Sequence, residues 1–152
     1  MSQIWIDADA TPKKNKELLF KASQRYRGIL MFVANRYTEL PRRHNLKMKV
    51  VAQGLDKADD YIAERVEAGD LVMTADIPLA ARCIEKGGHV LTPRGRELTK
   101  ENIGPILSMR NVNEDLRNAG LLDGMGGGPA AFSKKDVQLF ANALDRWINR
   151  SQ

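Results

Sequence analysis

Short apolar runs alternate with segments of helical periodicity along most of the chain, and this alternation constrains the fold more than any other feature. The pattern is typical of a parallel sheet with helices packed on its faces. The sequence predicts strands at 4–6, 29–34, 46–52, 70–75 and 89–92. It predicts one helix capped by Thr11 with Pro12 in its first turn, and a last helix begun by Ser133 with Asp136 in capping-box spacing. Further helices are predicted at 56–68, 77–86, 99–108 and 111–119. We therefore expect an α/β fold, a single domain over residues 1–152 with a mostly parallel sheet of four to five strands flanked by helices.

Length and composition are those of one globular domain. A chain of 152 residues with 43% hydrophobic and 28% charged residues can bury one core and lies far from disordered compositions. It contains neither a signal-peptide pattern nor a run of ~18 apolar residues. The only cysteine, Cys83, cannot form a disulfide within the chain. These features predict a cytoplasmic protein that does not associate with membranes.

Three aspartates follow two of the apolar runs, where strands would end and helices begin. Asp7 and Asp9 come directly after the first run, and Asp76 follows the run at 70–75. Residues two apart on an extended segment point to the same side, and ligands of open α/β sheets bind beyond the carboxyl ends of the strands. Each aspartate could instead cap the following helix. The pattern predicts a shared acidic site or a set of caps.

Helical phase distinguishes two further aspartates in the segment LDKADDYIAERV. Asp59 lies three residues before Ile62 and seven before Val66, which places it on the apolar stripe, whereas Asp60 falls on the polar face. A buried carboxylate needs a partner or a cation. Asp70 begins its strand and should lie at the opposite end of the sheet from Asp76. We therefore add only Asp59 to the candidate site.

Several carboxylates in one place repel each other unless a cation lies between them. A donor set made only of oxygen atoms favours Mg²⁺ or Mn²⁺ over zinc, and neither His44 nor His89 has the spacing of a zinc ligand. The predicted metal ligands and catalytic residues are Asp7, Asp9, Asp59 and Asp76.

Basic residues are concentrated beside this acidic segment. Residues 13–49 contain eleven Lys or Arg and two acids, whereas residues 50–76 contain two and seven. Such an arrangement can attract a polyanion and a cation together, although charge runs are also common on solvated helix faces. The predicted nucleic-acid contacts are Arg42, Arg43, Lys47, Arg94 and Arg96, and the last two could instead pair with nearby acids.

Five segments, IWIDADATP, VANR, KADDYI, GDLVMTADIPLA and LTPRGRELT, resemble in this order the YaiI/YqxD family of uncharacterised bacterial proteins. The resemblance runs from residue 4 into the last helix. That family is regarded as PIN-like, a fold in which acids at the ends of the first and a central strand bind Mg²⁺ or Mn²⁺ in nucleases. The resemblance implies such a role for Asp7, Asp9, Asp59 and Asp76.

Three functions fit these residues. The first is a divalent-metal-dependent nuclease, for which RNA is favoured over DNA as the substrate. The second is a nucleic-acid-binding or regulatory module without turnover. The third is a haloacid dehalogenase-like phosphatase, because DADAT matches its Asp-x-Asp-x-Thr opening, with Asp7 as nucleophile and Asp9 as general acid. The Gly-rich stretch at 124–129 lacks the context of a phosphate-binding loop and is interpreted as a turn.

Overall fold

The computed structural model describes residues 1–54, 56–118 and 131–151 of the chain. The strands are β1 (Ile4–Asp7), β2 (Leu30–Ala34), β3 (Leu46–Val50), β4 (Leu71–Met73), β5 (His89–Leu91) and β6 (Glu97–Leu98). The helices are α1 (Lys13–Ala22), α2 (Lys57–Arg65), α3 (Ile77–Glu85), α4 (Lys100–Asn118) and α5 (Lys134–Ser151), and a 3₁₀ turn (Ala8–Ala10) follows β1. The predicted α/β fold, with a mostly parallel sheet flanked by helices, is confirmed.

The sheet has the order β3-β2-β1-β4-β5-β6 and is parallel except for β6. The chain moves from β1 outward to β3 and then crosses back to β4, so the strand order reverses between β1 and β4. Right-handed crossovers in opposite directions place α1 and α2 on opposite faces. The reversal creates a crevice beyond the carboxyl ends of β1 and β4, the usual ligand position in such sheets.

Two hydrophobic cores lie on the two faces of the sheet. Ile4 and Ile6 of β1 pack with α1 and α5 on one face. Trp5 points to the other face, where it meets residues of α2 and α3, with parts of α4 alongside. Because side chains alternate along a strand, Asp7 shares the face of Trp5 and is directed toward α2 and α3.

The sheet contains one strand more than the four to five that the sequence suggested. β6 has only two residues, too few for periodicity to show, and it pairs with β5 antiparallel. The two helical segments predicted at 99–108 and 111–119 form the single helix α4, which continues through Pro105 to Asn118. The Gly-rich stretch at 124–129 lies outside the described residues.

Two of the expected helix caps are present and one is not. Asp76 caps α3, and Ser133 and Asp136 exchange reciprocal hydrogen bonds of 3.0 and 3.3 Å at the start of α5. The expectation for Thr11 was wrong, because its hydroxyl donates to the carbonyl of Asp7 at 2.8 Å and α1 has no side-chain cap. Thr11 thus closes the turn after β1. No helix within the described ranges is long and apolar enough to cross a membrane.

The turn between β5 and β6 is held against α5 by a close backbone approach. A Cβ added at Gly95 would lie 2.5 Å from both the carbonyl carbon of Leu139 and the nitrogen of Phe140, and Gly95 has a φ of +87°. Next to it, Arg94 pairs with Asp136 at 3.1 Å. Only glycine combines this conformation with this contact.

We predict that Gly95→Ala lowers the free energy of unfolding by about 2–4 kcal/mol, since the methyl group meets backbone atoms and the backbone conformation disfavours it. Gly104→Ala is the control, because a Cβ there meets nothing within 4 Å. It should change the stability by less than about 1 kcal/mol. Urea unfolding of both variants measures the difference, and equal effects would contradict the prediction.

Candidate functional site

The parallel pairing of β1 with β4 brings two of the candidate aspartates together. Ile6 pairs with Met73, so Asp7 lies beside Thr74, the residue that follows β4. The Thr74 hydroxyl donates to Asp7 Oδ2 at 3.1 Å and accepts a hydrogen bond from the backbone N–H of Asp76 at 3.0 Å. Thr74 therefore links the ends of the two central strands.

Asp76 has a structural role as well as a candidate functional one. Its Oδ1 accepts the N–H of Leu79 at 2.9 Å, which satisfies a free donor in the first turn of α3. The cap fixes one carboxylate oxygen near the crevice.

Asp59 approaches this pair from α2. It is half-buried, whereas its neighbour Asp60 is exposed and pairs with Arg82 at 2.8 Å, as the helical phase predicted. The pKa of Asp59 is raised to about 6, first by burial and then by the charges of Asp76 and Asp7, with a contribution from a hydrogen bond to Asp76. The carboxyl groups of α2, β1 and the β4–α3 junction therefore form one cluster.

Asp7 is the buried centre of the cluster, with 8% of its surface exposed. Burial raises its pKa, the hydrogen bond from Thr74 partly opposes that rise, and the charges of Asp76 and Asp9 add to it. Asp9 is exposed, and its Oδ2 accepts the N–H of Asn35, after β2, at 2.8 Å. All four predicted acids thus gather at the carboxyl ends of the strands, and we call them the acidic cluster.

The donor chemistry of the acidic cluster fits a hard divalent cation, because it consists of carboxylate oxygens that repel one another. Both histidines lie elsewhere, His44 just before β3 and His89 at the start of β5. In the described part of the chain, no three His, Cys, Asp or Glu side chains are spaced to hold an ion as they are placed. Binding an ion would therefore require the carboxylate groups to move closer together than they lie here.

Asp70 confirms by contrast that position on the strand decides which acids belong to the cluster. It lies at the amino end of β4 and is 5% exposed. Its carboxylate accepts three N–H groups, from Trp5 Nε1 at 3.0 Å, the Gln3 backbone at 2.9 Å and the Glu67 backbone at 3.0 Å. These bonds satisfy the buried charge, so Asp70 has a structural role.

The predicted basic contacts lie in two separate places. Arg42 and Arg43 are exposed just before β3, and Lys47 is its second residue, so these three lie toward the end of the sheet opposite the acidic cluster. Arg94 and Arg96 follow β5 at the same end as the cluster. Arg94 pairs with Asp136, and Arg96 is exposed. The structure therefore brings only the second group toward the acids.

Three polar residues around the site were not identified from the sequence. Thr74 could have been found, because it lies two residues before Asp76 in the same strand exit. Asn35 and Asn15 carried no such signal. The side chain of Asn15 is fully buried and donates to the carbonyl of Pro93 at 2.9 Å. The side-chain oxygens of Asn15 and Asn35 are buried without a hydrogen-bond partner in the described part of the chain.

The chain matches the family described as "Uncharacterized BCR, YaiI/YqxD family" over residues 5–150. It belongs to this family. It is 50% identical to a "UPF0178 protein" of Cellvibrio japonicus over 98% of this chain and 97% of that protein. A "UPF0178 protein" of Maridesulfovibrio salexigens is 51% identical over the same shares. No solved structure gives a significant match. The resemblance inferred from the motifs is thus confirmed, and the relatives' names give no activity.

We predict that Asp59→Asn stabilises the metal-free protein above about pH 6 and not near pH 4. The raised pKa means that the folded state favours protonated Asp59, so the wild-type protein loses stability as the pH rises through about 6. Asparagine is neutral at both pH values. Because Asp59 is half-buried and solvent screens its charge, we expect a Tm increase of roughly 1–3 °C near neutral pH.

Thermal unfolding in EDTA measures this effect, with Asp60→Asn as the matched control on the same helix. Asp60 is exposed and paired with Arg82, so its replacement should not raise the Tm. A Tm increase for Asp59→Asn that is equally large at both pH values would contradict the explanation by charge repulsion.

Proposed function

We propose that the protein is a divalent-metal-dependent nuclease that hydrolyses phosphodiester bonds, in RNA rather than DNA. The observation that carries the proposal is the convergence of Asp7, Asp9, Asp59 and Asp76, from three segments of the chain, at the crevice beyond β1 and β4. Burial and the neighbouring carboxylates raise the pKa of Asp7 and of Asp59, which lowers stability when these groups are charged. Groups perturbed in this way are concentrated at functional sites.

The four aspartates of the acidic cluster would have different roles in the reaction. Asp7 and Asp76 would hold Mg²⁺ or Mn²⁺, with the carboxylate of Asp76 kept in place by its cap on α3 and that of Asp7 by Thr74. Asp9 and Asp59 would hold a second ion or orient the attacking water. A bound ion in such a site lowers the pKa of water and stabilises charge on the phosphate.

Asp59 offers a proton-transfer group as well as a ligand. Without metal the pKa of Asp59 is raised to about 6. A cation held by Asp7 and Asp76 would lower that pKa and leave Asp59 as a carboxylate able to accept a proton from the attacking water. Its interactions with the charges of Asp76 and Asp7 show that it lies next to the proposed ligands.

The net charge of +5 supports a polyanionic substrate. The lone cysteine, Cys83, is buried, and burial raises its pKa to about 11, which suits a packing role in a reducing cytoplasm rather than nucleophilic chemistry. A cytoplasmic location is part of the proposal.

We predict that the protein cleaves single-stranded RNA in the presence of Mn²⁺ and that Asp7→Asn or Asp76→Asn reduces the rate at least ~100-fold, because each removes a charged ligand. Asparagine is chosen at position 76 because it also serves as a helix cap, whereas Asp76→Ala would in addition cost about 1 kcal/mol of stability. Gel-resolved cleavage of a labelled oligonucleotide with and without EDTA measures the rate.

The control is Glu67→Gln, which replaces an exposed acid near the amino end of β4, leaves the cluster intact and should retain the wild-type rate. A generic phosphomonoester is assayed alongside, since turnover of it that is trapped by beryllium fluoride would favour the phosphatase with Asp7 as nucleophile. Salt-sensitive RNA binding with no cleavage in any metal would contradict the nuclease and leave the binding module.

A further inference from the structure

We propose that a groove between the edge strand β3 and helix α2 binds the phosphate backbone of a single-stranded nucleic acid and leads it to the acidic cluster. The groove has a volume of about 440 Å³, and its charged and aromatic lining consists of Lys49, Lys57, Asp60, Tyr61, Glu64 and Arg65. We call it the edge groove. The path from the groove to the acidic cluster rests on the proposed function, whereas binding in the groove does not.

The aromatic ring of Tyr61 holds two cations together in the edge groove. The guanidinium carbon of Arg65 lies 3.8 Å from the centroid of the ring and the ammonium nitrogen of Lys49 lies 5.7 Å from it. Cation–π contacts of this kind position the charges and reduce the freedom they would lose on binding. Trp5 supports the ring from the side, with 6.3 Å between the centroids.

The charges of the edge groove favour an anion. Of its two acids, Asp60 is neutralised by Arg82 at 2.8 Å, and Glu64 pairs with Arg65 only at 3.5 Å. Lys49 and Lys57 form no salt bridge with any residue in the described ranges. Like charges near one ring repel unless an anion lies between them, which suits a phosphate.

The position of the edge groove connects it to the acidic cluster. Lys49 is the fourth residue of β3 and pairs in register with Val33, close to the carboxyl end where Asn35 holds Asp9. Helix α2 lines the groove with Lys57 and Tyr61 and contributes Asp59 to the cluster. A strand lying in the groove would therefore reach the cluster at the same end of the sheet, unlike one bound at Arg42 and Arg43.

A positively charged groove with an aromatic residue is the usual feature of proteins that bind single strands without sequence preference. The edge groove replaces Arg42, Arg43 and Lys47 as the main phosphate-binding surface.

The test is fluorescence anisotropy with a labelled oligouridine of ~12 nucleotides in EDTA, over a series of KCl concentrations. Each lost phosphate contact should reduce the salt slope by about 0.7, so Lys49→Gln with Lys57→Gln should reduce it by about 1.4 and weaken binding several-fold. Arg42→Gln with Arg43→Gln should leave both quantities unchanged. Circular dichroism verifies that each variant is folded.

The proposal is overturned if the wild-type protein does not bind the oligonucleotide at low salt, or if the Arg42 and Arg43 variant weakens binding while the Lys49 and Lys57 variant does not. It is also overturned if polyglutamate of equal length displaces the RNA as effectively as unlabelled RNA does, since that would indicate an acidic protein partner.

The failure of this proposal can be distinguished from the failure of the nuclease. Binding is measured without metal and is independent of cleavage. If the protein is a nuclease and the groove is its entrance, the Lys49 and Lys57 variant raises KM and keeps kcat, because the acidic cluster is untouched.

Discussion

The parallel hydrogen bonding between β1 and β4 is the constraint on which the rest of the structure depends. These two strands are distant in sequence, and their register sets Asp7 beside Thr74. Asp76 follows Thr74 by two residues and is hydrogen-bonded to its hydroxyl. β2 and β3 lie on one side of β1, and β4 lies on the other. The strand order therefore reverses between β1 and β4, and a crevice remains beyond their carboxyl ends. The second core and the approach of α2 to Asp7 follow from this arrangement.

Two buried aspartates near these strands show how the ends of one sheet differ. At the amino end, Asp70 is surrounded by three N–H donors, which compensate its charge and fasten the start of β4 to β1 and to the α2–β4 turn. At the carboxyl end, Asp7 receives one hydroxyl and faces other carboxylates. The fold therefore uses one carboxylate for stability and concentrates unfavourable charge at the other end, as expected of a functional site.

The sheet also separates basic residues that are neighbours in the sequence. In the sequence, Arg42, Arg43, Lys47 and Lys49 form one basic segment. In the structure they run along β3, from one end of the sheet toward the other, so only Lys49 lies near α2. The connection from β2 to β3 contains no helix. β3 is the last strand of the sheet at that side, so no described strand pairs with its outer edge. A count of charged residues along the sequence therefore does not show where on the surface those residues lie. The strand order shows it.

The sequence by itself determined the fold class, the candidate acids and the caps of α3 and α5. Apolar periodicity identified every strand except the two-residue β6, and helical phase separated Asp59 from Asp60. Residue type at a strand exit identified Asp76 as a possible cap, because a cap depends on neighbours within a few residues. Only the tertiary structure decided that Thr74 bridges Asp7 and Asp76, that Asn35 holds Asp9, that Gly95 contacts α5 and that Lys49 and Arg65 share one ring. These contacts join residues from separate segments, and local periodicity carries no information about which segments become neighbours. The pairing and register of the strands supply that information.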